Sequence, residues 1–297
     1  MSRDFLLIPN IRIHNANALS SPYTIGFPAM TAWVGAMHAL QRHVQAQDFE
    51  DIEFKSMAVS CHDFDLQTHK GENDYVHSII GTGNPLDKAG NRPSFIEEAR
   101  IHLTVSLLIE IDDLGFVDFD ELRDVVDACL QGKMKLAGGD ILTSDWSSSC
   151  ELVTVDSNTE ERQLLRRLMP GHCLLERKDL MEQSMAEGQD GIDALLDYLK
   201  VTHASQQDEK EKVTWESSRE TKGWIVPVAT GFHGISELGQ ALQQRDADTP
   251  HRFAESIITL GEFVMPYRLS ELDQILWHYD VDAENNLYLC RQNKPTH

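Results

Sequence analysis

Residues 99–111 carry the cleanest pattern in the chain. Ala99, Ile101, Leu103, Val105, Leu107, Ile109 and Ile111 alternate with Arg100, His102, Thr104, Ser106 and Glu110, and only Leu108 breaks the polar set. A period of two predicts a half-buried strand with one mostly wet face. Upstream, Phe5 to Ile8 and Ile11 to His14 read as a strand, followed by a small polar loop, Asn15-Ala16-Asn17-Ala18. A second loop, Thr24 to Ala29, opens a helix. Met30, Trp33, Val34, Met37, Leu40 and Val44 recur at helical spacing, which predicts an amphipathic helix over 28–45. Ile52 to Cys61 is rich in β-formers. Asp118 with Glu121 makes a capping box for a second helix over 119–131, marked by Leu122, Val125, Val126, Cys129 and Leu130. A glycine-rich turn, Gly132 to Gly139, precedes β-like sequence around Ile141-Leu142-Thr143 and Leu152 to Val155.

This order, β-α-β-β-α-β, predicts an α+β fold with a ferredoxin-like core over residues 1–156. Its two helices would cover one sheet face and leave the other free to bind, as in RNA-recognition modules. A fold hosts many functions, so the topology alone assigns none. Residues 64–98 make an unusually long connection, with Gly71, Gly81, Gly83, Pro85, Gly90 and Pro93. Tyr75-Val76 and Ile79-Ile80 offer apolar contacts, which favours an extended arm. The remainder, 157–297, reads as an additional β-rich portion packed on the core. It holds a Pro170-Gly171 turn, a short helix from Gly191 to Leu199 and an apolar strand from Gly223 to Ala229. Core-forming sequence then runs from Phe253 to Trp277. The charge-dense segment 203–222 reads as a solvated loop or helix end.

Composition changes this picture little. Of 297 residues 41% are hydrophobic and 25% charged, ordinary for a globular protein. No apolar run reaches the roughly 18–20 residues of a membrane span. Five dispersed cysteines without a C-x-x-C pair fit free thiols in the cytoplasm. The net charge of −22 is the informative number, because free-standing nucleic-acid binders are usually basic. It disfavours non-specific binding but leaves room for a local basic groove among basic neighbours. Arg162, Arg166, Arg167, Arg177 and Lys178 form the one locally basic stretch, with Arg162 and Arg166 a helical turn apart. The thirteen histidines show no metal-ligand spacing, and no nucleotide-binding or nucleophile motif is present. The acidic run from Glu110 to Asp127 reads as a solvated face. Neither a metal nor a cofactor is expected, nor a catalytic residue.

Polar, charged and anion-holding chemistry is scattered along the chain. Asn15 and Asn17 carry side-chain amides. Gly26 and Phe27, leading into Pro28 and Ala29, offer backbone N–H groups at a helix start able to hold a phosphate. Arg42, Arg252 and Arg268 supply charge, and Tyr267 an aromatic surface. The rings of Trp33 and Trp277 read as core.

Several stretches carry a family resemblance when taken together and in order. They are Asn15-Ala16-Asn17-Ala18, Gly26-Phe27-Pro28-Ala29, His38 to Arg42, Leu168-Met169-Pro170-Gly171, Gly223 to Pro227 and Arg252 to Ser256, followed by Leu260 to Phe263, Pro266 to Leu269 and Leu276 to Tyr279. The chain resembles the subunit that caps the crRNA 5′ handle in the type I-F CRISPR surveillance (Csy) complex, within the RAMP superfamily. The resemblance implies a non-catalytic subunit that holds the crRNA 5′ handle. It also implies a large PAM-sensing subunit as heterodimer partner, the first backbone subunit of the crRNA filament as neighbour, and target DNA reached only indirectly. Two rivals remain. A metal-independent endoribonuclease would need a Tyr, His and Lys cluster, for which His38 and Tyr267 are candidates. An acidic scaffold would bind protein alone.

Overall fold

The computed structural model describes residues 2–80, 85–92, 98–112, 115, 117–142, 150–207, 212–244, 246 and 248–292. Gly81, Gly83, Pro93 and Thr143, named above, lie outside the described residues. The first strand, β1 (Arg3–Asn17), is one unbroken element; Asn15 to Asn17 continue it and are not a loop. A small hairpin, β2 (Leu19–Ser21) and β3 (Thr24–Ile25), leads to α1 (Met30–Gln45), two residues later than its pattern suggests. Next come β4 (Glu53–Leu66), a short ribbon of β5 (Thr68–His69) with β6 (Ser78–Ile79), and β7 (Arg100–Asp112). In the long connection Ile79 packs on the core, whereas Tyr75 is 98% exposed and Val76 also projects, so that pair does not pack. Helix α2 (Phe119–Gly132) is capped by Asp118, whose carboxylate accepts from the N–H groups of Asp120 and Glu121. The glycine-rich turn is a tight hairpin between β8 (Lys135–Leu136) and β9 (Gly139–Ile141). Its central Ala137 and Gly138 both have positive φ, as a two-residue loop matching strand twist requires. Strand β10 (Glu151–Val155) closes this half.

All pairings here are antiparallel, in the order β4–β7–β1, with β9 and β10 sharing the far edge of β1. The sheet then continues through the second half. After α3 (Asn158–Arg167) come β11 (His172–Glu176), α4 (Lys178–Ala186) and α5 (Gly191–Leu199). Strands β12 (Thr202–Gln207) and β13 (Val213–Ser218) pair only with each other. Within the segment expected as a solvated loop or helix end, the described residues thus form a two-stranded ribbon, because Thr202, Val213, Thr214 and Trp215 favour extended backbone. Strands β14 (Trp224–Gly234), β15 (Ala254–Val264), β16 (Trp277–Asp282) and β17 (Leu287–Gln292) complete the fold. Two 3-10 turns, Pro266–Arg268 and Leu272–Gln274, lie between β15 and β16. Strand β4 joins the halves, pairing β16 at Met57 and β11 at Ser60 and Cys61. The result is a mixed α/β protein with one 11-stranded sheet and five α-helices among the described residues.

Two cores flank this sheet. Helices α1 and α2 pack on the face carrying Leu6, Ile8, Leu103, Val105 and Ile109, with Trp33 and Trp277 fully enclosed. The opposite face, expected to be open, is half covered. Leu164 and Leu165 of α3 and Leu168 at its C-terminal cap, with Leu269, Leu272, Ile275 and Leu276, close over Phe5, Leu7 and Leu108. Burying each such side chain stabilises by roughly 1.5–3 kcal/mol, so Leu108 marks where the wet face of β7 ends and a second core begins. No helix is long and apolar enough to cross a membrane, among the described residues.

Candidate nucleic-acid interface

The uncovered half of the second face is polar. Register sets its layout: Thr104 of β7 faces Arg12 of β1 and Asp63 of β4, His102 lies beside Asp65, and His14 lies beside Asp140 of β9. A wall separates it from the covered half. The Leu168-Met169-Pro170-Gly171 turn after α3 is tied to β4, where the Ser60 hydroxyl donates to the Leu168 carbonyl at 2.9 Å. His62 donates through Nδ1 to the Pro170 carbonyl and accepts through Nε2 from the Ser106 hydroxyl at 2.7 Å. Ser106 in turn accepts the Asn10 N–H at 3.0 Å, while the Pro170 carbonyl, which can only accept, fixes the His62 tautomer. A Cβ on Gly171 would collide with Ser60 and come within 2.8 Å of His62, so the close approach needs glycine.

The arginines of α3 and its neighbours differ in how they are paired. Arg167 pairs with Glu151, and Arg177 with Asp179 and Glu262, so both are already neutralised. Arg162, Arg166 and Arg268 have no carboxylate partner among the described residues. Arg268 sits on the first 3-10 turn, which packs against α3; its guanidinium lies 5.8 Å from the Tyr267 ring centroid and its Nε donates to the Tyr267 hydroxyl. Tyr267 is 57% exposed.

The other residues picked from sequence are spread over two regions. Asn15 stands at the rim of the open half with positive φ, at a bulge between β1 and β7, and its N–H donates to His102 Nδ1 at 3.0 Å. Asn17 spends its amide locally, bonding the N–H and carbonyl of Leu19 at 3.1 Å each. Gly26 has φ +154, and open space lies where its side chain would be. The Phe27 side chain is 7% exposed, stacked on Trp33 at 5.5 Å and edge-on to Phe263 at 5.3 Å. Only its backbone is left for a ligand. The first turn of α1 has no side-chain cap and no acidic residue, so its N–H groups keep their partial positive charge. Arg42 lies twelve residues along α1, about 18 Å from that start, beside His38 and in the turn where a cation suits the helix dipole. Arg252 donates to the Asn286 side-chain amide oxygen, packs over Gly234, and keeps a buried Nε without a partner.

His38 and Tyr267 do not meet. His38 rides on α1 above the first core, while Tyr267 belongs to the cover of the opposite face. His38 instead contacts Tyr279 at 4.6 Å, and burial holds its pKa below the ordinary value, helped by Arg42. Burial also pushes the Tyr279 phenol up, aided by Tyr288, so it stays protonated and makes a poor base. Sequence reasoning missed His14, His102 and Arg12 as a group. The alternation of β7 placed His102 on the wet face, but nothing local showed that His14 would lie over it.

Comparison with known proteins adds two findings. The family described as CRISPR-associated protein (Cas_Csy2) matches residues 6–290. The CRISPR-associated protein Csy2 of Pseudomonas aeruginosa (strain UCBPP-PA14) is similar at 34% identity over 312 aligned residues, covering 95% of this chain and 93% of the relative.

Proposed function

The chain belongs to the Cas_Csy2 family of CRISPR-associated proteins, and from that premise we propose that it caps the 5′ handle of the guide RNA in a type I-F surveillance complex. It does so without catalysing a reaction. The observation that carries this reading is that Arg162, Arg166 and Arg268 lack a carboxylate partner among the described residues, on α3 and the 3-10 turn packed against it, with exposed Tyr267, on the sheet face whose other half is polar and uncovered. In a chain of net charge −22, arginines left unneutralised beside an aromatic ring are suited to phosphates and a stacked base. Asn15, Asn17, the Gly26 and Phe27 backbone, Arg42 and Arg252 extend the proposed interface. A ferredoxin-like, RAMP-type core over 1–156 is supported by the antiparallel order β4–β7–β1–β9 with α1 and α2 on one face. The portion 157–297 then supplies the wall.

The partners are the large PAM-sensing subunit and the first backbone subunit, with target DNA met through them. Acidity supports this: an acidic subunit docks among basic neighbours and does not wander onto free nucleic acid. Five buried free thiols suit a cytoplasmic site. The endoribonuclease alternative is disfavoured by the separation of His38 from Tyr267.

The test is the assembled complex with its guide. Arg166→Ala with Arg268→Ala is expected to expose the 5′ handle to nuclease and to lower the salt slope of guide binding by about one for each phosphate no longer held. A handle equally protected in this double variant removes these residues from the interface. Clean cleavage of repeat RNA by the purified chain without metal overturns the non-catalytic reading.

A further inference from the structure

His14 and His102 form a parallel pair on the uncovered half-sheet. Their ring centroids are 4.1 Å apart with an interplanar angle of 9°. His102 is half-buried on β7, and exposed His14 lies beside it on the neighbouring β1. The His102 ring is fixed: its Nδ1 accepts the Asn15 N–H at 3.0 Å, so its ring hydrogen is on Nε2 and the imidazole is neutral. Burial and the neighbouring His14 hold the His102 pKa below its ordinary value, while Asp65 acts against them. The exposed His14 ring therefore has one face against a neutral ring, and its outer face lies on the side of Asp140 of β9.

We infer that the outer face of His14, backed by His102, is a stacking platform for one unpaired, amino-bearing base of single-stranded RNA. This rests on the handle-holding reading above and adds to it a ligand class at a defined place. Three observations select a base over a phosphate. Histidine rings are among the surfaces on which splayed RNA bases stack. The groups facing the pair are acidic or already paired: Asp65 from β4, and Asp140 from β9, whose carboxylate is bonded to Lys135 at 2.7 Å. From β7 and β1 come Thr104 and Arg12. Of these, Asp65 repels a phosphate and the Asp140–Lys135 pair offers it no net charge. Carboxylates instead accept hydrogen bonds from exocyclic amines, which adenine and cytosine carry and uracil lacks.

Fluorescence anisotropy on the full chain tests this with labelled eight-residue oligoadenylate and oligouridylate. The unaltered chain is expected to bind oligoadenylate more tightly. His14→Ala should weaken oligoadenylate about tenfold and remove the preference, within the range one stacked base supplies. His14→Phe, which keeps a flat ring, should retain most of the affinity. His14 is exposed, so a thermal melt of each variant should match the unaltered chain. Equal oligoadenylate binding by His14→Ala overturns the platform while handle protection in the assembled complex still supports the capping role. No preference for oligoadenylate over oligouridylate, or binding of neither, also overturns it. A handle left unprotected in the complex of the unaltered chain marks failure of the capping role itself.

Discussion

At the scale of single residues, the site depends on backbone positions as much as on side chains. Gly139 lets β9 approach β1 at the bulge that presents His14 and Asn15. A Cβ there would lie 2.8 and 2.9 Å from the backbone N and Cα of Ala16, atoms that cannot rotate away. Gly139→Ala is expected to destabilise the protein by about 1–3 kcal/mol, the usual cost of overpacking. Urea unfolding measures it, and an unchanged midpoint would show that β9 moves freely there. Residue identity alone does not reveal such constraints. Asn15 and Asn17 look equivalent in sequence, yet one stands at the rim with positive φ and the other closes its own turn. The difference comes from a register shift between Ile13 and Ala16, which no short-range pattern encodes.

At the scale of elements, strongly periodic segments are legible. Strand β7, helices α1, α2 and α5, and strand β14 fall within a few residues of where their patterns put them. Helix α4 has no legible pattern, and α3 shows only as a basic stretch, because Leu180, Met181 and Met185 in one and Leu164 and Leu165 in the other are too few large apolar positions to show a period, whereas the equally short α5 has Ile192, Leu195, Leu196, Tyr198 and Leu199. The hairpin of β12 and β13 is hidden by its composition. Every residue of both strands is exposed, and Trp215 is 71% accessible. A lone two-stranded ribbon contributes little to a core it does not touch. Replacing 202–218 by a short glycine-serine loop is expected to leave the melting temperature within about 2 °C. A large fall would mean that the ribbon braces α5 or β14.

At the scale of the molecule, five cysteines report on integrity. All are free and buried. Burial above all pushes Cys61, Cys150, Cys173 and Cys290 up to about 12, from 9.0 in an open chain. The folded form holds these protons more tightly, so the stability they contribute is complete below pH 9 and falls as pH rises from 9 toward 12. Unfolding free energy from urea titration should therefore be lower at pH 10 than at pH 8. Iodoacetamide at pH 8 should label the native chain slowly and the unfolded chain fully; fast native labelling would show that the cores open readily.

The sequence by itself determined the long strands and both helices of the first half, the placement of Trp33 and Trp277 in the core, and the family, because these depend on local periodicity and ordered motifs. The tertiary structure alone decided which part of the second sheet face stays open. Leu108, Leu164 and Leu272 are far apart in the chain, and only their joint burial closes half of that face. It alone brought His14 over His102, and it left Arg166 and Arg268 without carboxylates while pairing Arg167 and Arg177. Stacking and ion pairing act over a few ångströms in space, whatever the separation in sequence.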